Sequence, residues 1–260
     1  MSSQTQMERL ADRAGTRQFD MQRAAIAMAA LWLLLVLFFG LFPEIDIELQ
    51  RTFFREKPCL PPALPDAVCG MFPLAKSETF ALLRETLMMI PYIVAVLVVA
   101  LLIDALWNRY GRYDRDDVHR IGVVLGTLAF GPVLLVNCYL KALSGRPRPD
   151  QTWLFGGNLP FAPAGSFTGL CHSNCSFVSG EAAGSSWLLC VLFLLPSRLR
   201  NALLPITFVI SATGTFMRVS FGRHFLSDAL LGWLSTLVIF VGLCAIFGWP
   251  LSPKSRDGRK

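Results

Sequence analysis

The chain has 260 residues, of which 53% are hydrophobic and 16% are charged, and its mean hydropathy is +0.50. This composition excludes an ordinary soluble domain of the same length and predicts a protein that crosses a membrane several times. The formal net charge of +6 comes from basic residues that stand between long apolar segments rather than along one soluble face, which argues against a nucleic-acid-binding protein.

Apolar stretches predict the helices of the protein. A hydrocarbon core about 30 Å thick takes roughly 20 helical residues to cross. Six stretches reach or approach that length: 24–42, 87–107, 121–140, 182–196, 202–217 and 229–249. The fourth is short and must borrow residues from its N-terminal flank. No small-residue cleavage pattern follows the first, so we interpret it as a retained anchor. The sequence therefore predicts an all-α polytopic membrane protein with six transmembrane helices.

Basic residues predict the orientation of these helices. Residues 1–23, the loops after the second and fourth stretches, and residues 250–260 carry Arg and Lys and are expected in the cytoplasm. On the opposite side, some basic residues fall in two clusters that are described below. If a functional site needs these residues, their charge does not indicate the orientation of the helices. The basic residues that remain there are Arg51, Arg55, Lys57, Lys76 and Arg84.

The predicted organisation is a single membrane domain with short polar ends. It comprises a cytoplasmic segment 1–23, a six-span domain 24–249 and a cytoplasmic tail 250–260. Residues 43–86 are too rich in proline for one continuous helix, so they are expected to form a periplasmic loop with short helices. The segments 141–181 and 218–228 are expected to carry the site. No internal repeat is visible.

The seven cysteines show neither CxxC spacing nor a Cys/His cluster, so structural zinc is not expected. Three of them lie inside apolar stretches and are expected to pack as small hydrophobes: Cys138, Cys190 and Cys244. Cys59 with Cys69, and Cys171 with Cys175, lie in segments predicted to be external. Each pair could form a disulfide if that side is oxidising.

Polar clusters fall on the predicted external side at residues 141–149, 176–181 and 218–228. In the first cluster, Lys141 and Arg148 are about two helical turns apart and start on a common helix face, although Pro147 and Pro149 must break the helix. Both side chains could point at one anion. The alternative is that they extend to lipid phosphates at the membrane surface.

The second cluster stands at the predicted start of the fourth helix. Unpaired backbone N–H groups and the positive end of the helix dipole favour an anion at such a position. Gly180 would let the backbone approach that anion closely. The alternative is that Ser179 is an ordinary N-cap residue followed by a flexible glycine.

The third cluster contains an ordered pair of titratable residues. His224 and Asp228 are spaced i, i+4, so on a helix the carboxylate can accept a hydrogen bond from the ring and fix its tautomer. An imidazole oriented in this way can act as a nucleophile or a base. Arg218 offers a guanidinium fork that matches phosphate oxygens. A structural histidine is the alternative, but ionisable groups at the inner edge of a membrane bundle favour a functional role.

These clusters resemble the signatures of the type-2 phosphatidic acid phosphatase family, which shares its core with vanadium haloperoxidases. "KALSGRPRP" matches Lys-x6-Arg-Pro, and "RVSFGRHFLSD" matches Arg-x5-His-x3-Asp. "SFVSGE" is similar to the second signature, Pro-Ser-Gly-His, with Val178 and Glu181 where the family has Pro and His. The resemblance covers residues 141–228 and the six-span pattern.

The resemblance implies a role for each matched residue. His224 would be the nucleophile that forms a phosphohistidine, and Asp228 would orient it. The phosphoryl group would be held without a metal or other cofactor by Lys141, Arg148, Ser179, Gly180 and Arg218. Arg146 and Arg223 fall at variable positions of the signatures and are expected to meet anionic head groups.

Glu181 replaces the histidine that protonates the leaving oxygen in the family, and several explanations are open. Glu181 could itself be the acid, or His172 could swing in to replace it. The leaving group could be a good enough anion to need little help, or the protein could bind phosphate with poor turnover. We favour Glu181 as the acid, because its carboxyl group can carry a proton at the aligned position.

The resemblance implies a lipid phosphatase, and an outward-facing site implies an envelope lipid of the bacterial inner membrane. We expect lipid A phosphate as the substrate, with undecaprenyl diphosphate and phosphatidylglycerol phosphate as alternatives. The expected partners are the phosphorylated lipid and the bilayer, and the sequence identifies no protein partner. The aromatic segment 153–167 could form a lid over a large glycolipid or could seal the bundle.

Two other functional classes are less consistent with these residues. A transporter or channel would need charges near the membrane midplane, whereas the apolar stretches contain almost none apart from Asp104 near one end. A phospholipid-binding or scrambling protein is conceivable because of Glu181, but it would not need the oriented imidazole of His224.

Overall fold

The computed structural model describes the backbone of residues 3–60, 67–107 and 115–248, and their side chains from residue 18 onward. The first part of the chain forms the long helix α1 (Ser3–Leu41) and the short helix α2 (Glu44–Phe53). Two antiparallel strands of two residues each follow, β1 (Arg55–Glu56) and β2 (Gly70–Met71). Helices α3 (Pro73–Lys76) and α4 (Glu78–Trp107) come next.

The second part of the chain continues the bundle. Helix α5 (Arg115–Leu128) runs on as a π-helix (Ala129–Leu140) and ends in the single α-helical turn α6 (Lys141–Ser144). Two 3₁₀ turns (Pro149–Gln151 and Trp153–Phe155) lie in the connection to α7 (Gly180–Val191), which a third 3₁₀ turn extends to Leu194. Helices α8 (Ser197–Ser220) and α9 (Leu226–Phe247) follow.

As far as it is described, each of the six predicted stretches forms a helix apart from one or two residues at the C-terminal end of three of them, so the all-α prediction is confirmed. Within the described ranges, five segments are long and apolar enough to cross a membrane: Gln18–Leu41, Glu78–Trp107, Arg115–Gln151, Ser197–Ser220 and Leu226–Phe247. The sixth, Gly180–Leu194, is apolar but shorter, in agreement with the sequence. The tail 250–260 and the basic residues Arg109 and Arg112 lie outside the described residues.

Helix α7 can be short because it lies inside the bundle. Most of its residues are buried, and it packs against α4, α5, α8 and α9. The indole of Trp187 donates a hydrogen bond to the carbonyl oxygen of Val124 at 2.8 Å, and Thr236 Oγ1 donates to the carbonyl oxygen of Ala183 at 2.9 Å. A Cβ atom at Gly232 would collide with the carbonyl oxygen of Ser179, so glycine allows α9 to approach the start of α7 closely.

The segment predicted as a Pro-rich external loop differs from the prediction at its end. It contains the expected short helices, but α4 begins at Glu78 rather than near residue 87. The apolar pattern marked only the most apolar part of that helix, whereas its first turns carry the charged residues Glu78, Arg84 and Glu85. Arg84 therefore lies on a helix, and its position is set by the packing of α4 in the bundle.

An aromatic cluster covers the end of the bundle at which the three polar clusters lie. Phe54, Phe72 and Phe155 pack together with ring centroids 5.2–6.0 Å apart, and Phe225 belongs to the same buried cluster. Phe155 and Ala162 are buried, so part of the aromatic segment 153–167 seals the bundle, while Trp153 and Phe167 at its ends are exposed.

The cysteines pair as the sequence suggested. Disulfides join Cys59 to Cys69 and Cys171 to Cys175. Cys190 and Cys244 are free and buried in the core. Cys138 is exposed, so the prediction that it packs in the core is wrong.

Candidate active site

The first cluster turns sharply after α6. Gly145 ends the helix with φ +58°, a left-handed conformation that favours glycine. Lys141, on the last turn before this break, extends toward the start of α7, since its Nζ lies 3.2 Å from the place that a Cβ atom on Gly180 would occupy. Arg148 is almost buried and donates from Nη2 to Asn174 Oδ1 at 2.6 Å and from Nε to the Asn174 carbonyl oxygen at 3.0 Å.

The second cluster forms the N-terminus of α7. The buried Ser179 is the N-cap residue, and its Oγ accepts a hydrogen bond from the Ala182 N–H at 3.3 Å. Its own N–H donates to the carbonyl oxygen of Asp228 at 2.9 Å, which joins this turn to α9. A Cβ atom on Gly180 would lie 2.7 Å from Asn137 Oδ1, so a larger residue would crowd the Asn137 and Lys141 side chains.

His224 lies in the turn between α8 and α9 and is buried. Its Nδ1 lies 2.9 Å from the carbonyl oxygen of Ser176. Because a carbonyl oxygen can only accept, the ring proton belongs on Nδ1 and the lone pair on Nε2. Burial lowers the pKa of His224 well below its ordinary value, and the positive charges of Arg218, Arg148 and Lys141 lower it further. The imidazole is therefore neutral at neutral pH.

Asp228 reaches His224 through a serine, which corrects the direct hydrogen bond expected from the i, i+4 spacing. The Ser176 hydroxyl donates to Asp228 Oδ2 at 2.5 Å and lies 3.3 Å from His224 Nδ1. The same carboxylate oxygen accepts from the Phe225 N–H at 3.0 Å. Ser176 is thus a site residue that the sequence analysis did not assign, although it opens the second cluster.

The position of Arg146 also differs from the prediction. It was expected at lipid head groups, but its side chain is fully buried and holds two aspartates. Nη2 donates to Asp46 Oδ2 at 2.8 Å, Nη1 donates to Asp228 Oδ1 at 2.5 Å, and Nε donates to the Ala162 carbonyl oxygen at 2.8 Å. Its guanidinium also lies over the Phe225 ring, 4.5 Å from the centroid. Asp46 had no sequence signal beyond being an acidic residue between apolar ones in a predicted loop.

Arg223, the other arginine expected at head groups, lies at the surface. Its Nη1 is 2.7 Å from Asp150 Oδ2, and about half of its side chain is exposed. This position is compatible with the expected contact to head groups.

Glu181 is held by two arginines. Its Oε1 is 2.7 Å from Arg84 Nη2 and 3.3 Å from Arg218 Nη1. Arg218, in the last turn of α8, is the deeper of the two arginines, with 4% of its side chain exposed. His172, the alternative acid, is exposed in the segment closed by the Cys171–Cys175 disulfide, and among the described residues it has no hydrogen bond to the site.

Two cavities adjoin these residues. A polar cavity of about 350 Å³ opens beside Arg218 and is also lined by Lys76, Arg84, Asp150 and Arg223. A larger, mainly apolar cavity of about 490 Å³ lies between α4, the π-helix and α7, and Lys141 and Glu181 lie on its wall. Arg84 lines both cavities.

The site thus presents one neutral imidazole and several fixed cations around the start of a helix. Within the described ranges, no three His, Cys, Asp or Glu side chains cluster as they would around a metal ion. Cations and N–H groups arranged in this way bind a phosphoryl group and stabilise the negative charge that develops on it during transfer.

Comparisons with known proteins agree with this geometry. Residues 120–250 match the family described as PAP2 superfamily. The chain is 46% identical over 215 residues to the lipid A 4'-phosphatase of Rhizobium etli, with 83% of this chain and 84% of that protein covered. It is 45% identical over 216 residues to the lipid A 4'-phosphatase of Rhizobium leguminosarum, with 83% and 93% covered.

A more distant relative and a solved structure extend the comparison. The lipid A 4'-phosphatase of Francisella tularensis subsp. novicida is 28% identical over 210 residues, with 78% of this chain and 88% of that protein covered. The crystal structure of a PAP2 type phosphatidylglycerolphosphate phosphatase from Bacillus subtilis covers 86% of this chain and 95% of its own, with a TM-score of 0.54 and 18% identity. At that identity the likeness shows the fold alone. The matched family and the identity to the Rhizobium proteins together show that this chain belongs to the PAP2 superfamily.

Proposed function

We propose that the protein is a metal-independent membrane lipid phosphatase that removes the 4'-phosphate of lipid A at the periplasmic face of the bacterial inner membrane. The observation that carries this proposal is the buried, neutral His224 with Arg218, Arg148 and Lys141 around it. The substrate is supported by the 46% identity to the lipid A 4'-phosphatase of Rhizobium etli, which extends over most of both chains.

In the first step, Nε2 of His224 attacks the phosphorus atom. A bond forms between Nε2 and phosphorus, and the bond between phosphorus and the sugar oxygen breaks. The Ser176 carbonyl oxygen keeps the proton on Nδ1, so the lone pair faces the substrate. The positive charge of the phosphorylated ring is stabilised by Asp228 through the Ser176 hydroxyl.

The phosphoryl oxygens require donors at fixed positions. Lys141, Arg148 and Arg218 supply positive charge, and the Gly180 N–H at the start of α7 points outward from the helix. The Ser179 hydroxyl accepts from the Ala182 N–H, so its own hydrogen stays free to donate to phosphate. The N-cap role of Ser179 and the proposed phosphate contact are therefore compatible.

We assign proton delivery to Glu181. It stands one residue after Gly180 and next to Arg218, whereas His172 is exposed and makes no hydrogen bond to the site among the described residues. Once it has taken up a proton from solvent, Glu181 would protonate the sugar oxygen as the phosphorus–oxygen bond breaks. In the second step the resulting carboxylate would take a proton from water, which attacks the phosphohistidine and releases inorganic phosphate while the nitrogen–phosphorus bond breaks.

The placement of the site at the periplasmic face is supported by covalent and charge features. The Cys171–Cys175 disulfide closes the segment directly before Ser176, and Cys59–Cys69 links the ends of the external hairpin. Disulfides persist in oxidising compartments such as the periplasm. The Arg-rich cytoplasmic segments expected from the sequence agree with this orientation.

The experiment that tests the function is phosphate release by the detergent-purified protein in the presence of EDTA. The substrates are lipid A, undecaprenyl diphosphate and phosphatidylglycerol phosphate, and mass spectrometry of the lipid product identifies the phosphate removed. We expect release from lipid A at the 4' position, abolished by His224→Ala and retained by His119→Ala, a matched histidine control on α5. Release from another lipid in place of lipid A, or activity in His224→Ala, would contradict the proposal.

A further inference from the structure

We propose that Arg84 is a further substrate-binding residue of this site, and that Glu181 and the substrate phosphate compete for Arg84 and Arg218. The inference rests on the proposed phosphatase function and extends it to a residue that none of the three signatures contains. Arg84 is on α4, ahead of residues 120–250 that match the family.

The contacts of the two arginines leave donors unused. Both guanidinium groups approach the same Glu181 oxygen, Oε1, at 2.7 Å from Arg84 and 3.3 Å from Arg218. The Nε atoms of Arg84 and Arg218 are buried and have no hydrogen-bond partner among the described residues. A guanidinium has five N–H donors, and a phosphate offers more acceptor oxygens in a compact shape than a carboxylate. An anion with three free oxygens could therefore use donors that Glu181 does not.

The charges at this place also favour a second anion. Arg84 and Arg218 contact Glu181, Lys141 and Arg148 are close enough to interact with it electrostatically, and Asp150 is paired with Arg223. One carboxylate does not neutralise four cations. A phosphomonoester carries up to two negative charges, so it would offset more of this positive charge than Glu181 does.

The pair is accessible enough for exchange. About a quarter of each side chain is exposed, 24% for Arg84 and 27% for Glu181, whereas Arg218 is nearly buried. An ion pair with this exposure contributes little to stability and can open by side-chain rotation. Arg218 would thus hold a fixed position while Arg84 and Glu181 move.

The position of Arg84 matches a ligand that has a polar and an apolar part. Arg84 lines the polar cavity beside Arg218 and also the apolar cavity that contains Leu87, Met88 and Tyr92. Arg84 borders both cavities, whereas Glu181 and Lys141 line the apolar one. A phosphorylated sugar with attached acyl chains would place its phosphate where Arg84, Arg218 and Lys141 converge and its apolar atoms in the apolar cavity, so the phosphate would lie beside Arg84.

Binding would then exchange partners. The phosphate oxygens would take the N–H groups of Arg84 and Arg218, and the displaced Glu181 carboxyl would be free to approach the sugar oxygen. Glu181 thus acts as an internal competitor in the unliganded protein, and Arg84 contributes directly to phosphate affinity. The alternative is that Arg84 only anchors Glu181.

The affinity for inorganic phosphate distinguishes direct phosphate binding by Arg84 from mere anchoring of Glu181. This measurement requires neither a lipid substrate nor catalysis. Titration calorimetry on detergent-purified protein compares the wild type with Glu181→Gln, Arg84→Gln and the double variant. We expect several-fold tighter binding for Glu181→Gln, several-fold weaker binding for Arg84→Gln, and weaker binding for the double variant than for Glu181→Gln alone. Arg51→Gln is the matched control, because it removes an arginine from an ion pair of similar length, 2.6 Å, with Glu48 away from the site.

The double variant decides the outcome. If Arg84→Gln has no effect once Glu181 is replaced, Arg84 only anchors Glu181 and the proposal is overturned. Equal phosphate affinity of the wild type and Glu181→Gln, or no binding by either, overturns it as well. Arg84→Lys, which keeps the charge and loses the fork, should fall between wild type and Arg84→Gln and provides a milder variant should Arg84→Gln fold poorly. If the protein fails to hydrolyse lipid A, the proposed substrate is refuted. The affinities for inorganic phosphate would still test the role of Arg84.

Discussion

Asp46 and Arg146 form a fully buried ion pair in which Asp46 Oδ2 lies 2.8 Å from Arg146 Nη2. The same arginine binds Asp228, so a helix that directly follows the first membrane span is connected to the carboxylate proposed to orient the nucleophile His224. Asp46 also accepts hydrogen bonds from both the N–H and the hydroxyl of Ser227, the residue before Asp228. The segment that contains α2 is therefore a structural part of the site.

Replacing Asp46 should destabilise the protein and impair catalysis. Removing one partner of a buried ion pair leaves the other charge uncompensated and costs about 3–5 kcal/mol. For Asp46→Ala we expect a loss of that order in thermal unfolding in detergent, together with reduced phosphate release because Arg146 and Asp228 shift. The control is Glu48→Ala on the same helix, whose side chain is 66% exposed. Equal melting temperatures for the two variants would contradict a buried, stabilising role for Asp46.

Ser176→Ala tests the link between His224 and Asp228. The variant removes the hydroxyl that donates to Asp228 and keeps the carbonyl group that holds His224 Nδ1. A hydrogen bond to a charged group contributes about 1.5–3 kcal/mol, which corresponds to a roughly 10- to 150-fold lower kcat. KM should change little, because the hydroxyl is buried and donates to Asp228.

The matched control for this prediction is Ser186→Ala. Ser186 is also buried, but its hydroxyl donates to the Ala183 carbonyl oxygen inside α7. A loss of kcat in Ser176→Ala no greater than in Ser186→Ala would show that the hydroxyl has no role in the reaction.

The titration of His224 should lie at unusually low pH. Burial and the neighbouring cations lower its pKa, so the ring stays neutral as pH falls through the ordinary range near 6.5 and protonates only well below it. In Arg218→Gln one of these cations is lost, and the pKa of His224 should rise. NMR titration of the three histidines in phosphate-free detergent solution measures this. A His224 resonance that titrates near 6.5, or that does not move in Arg218→Gln, would refute the electrostatic picture.

The same shift has a consequence for stability. A histidine whose pKa is lower in the folded state binds protons first in the unfolded chain. Its contribution is therefore fully present above the unfolded pKa of about 6.5 and decreases as pH falls below that value. His224→Gln should reduce the dependence of the melting temperature on pH between about 6.5 and 5.

Gly180→Ala should displace the Lys141 ammonium group, which lies at the start of α7. The added methyl group would lie 2.7 Å from Asn137 Oδ1 and 3.2 Å from Lys141 Nζ, so both side chains would have to move. Misplacement of a phosphate-binding group by about 1 Å lowers kcat/KM by up to about 100-fold. Gly242→Ala on α9 is the control, since its added Cβ meets nothing within 4 Å. Normal phosphate release by Gly180→Ala would show that α7 tolerates a side chain at this position.

Local patterns of the sequence determined the helices and the three polar clusters. A membrane span is recognisable because its apolar length must match the bilayer, and signature spacings are recognisable because each lies within a few helical turns. The start of α4 escaped this reasoning, since its polar first turns extend past the apolar core. The pattern around residues 141–228 also sufficed to identify the family, and it predicted the residues of a candidate site.

The tertiary structure alone decided which charge meets which partner. Arg146 and Arg148 are two positions apart and look alike in the sequence. After the turn at Gly145, however, Arg146 binds the buried Asp46 and Asp228, whereas Arg148 binds Asn174. Arg146 meets Asp46 across 100 positions, and Arg84 meets Glu181 across 97. The physical reason is that such pairs depend on how α2 and α4 pack against the bundle, and no local periodicity records that packing.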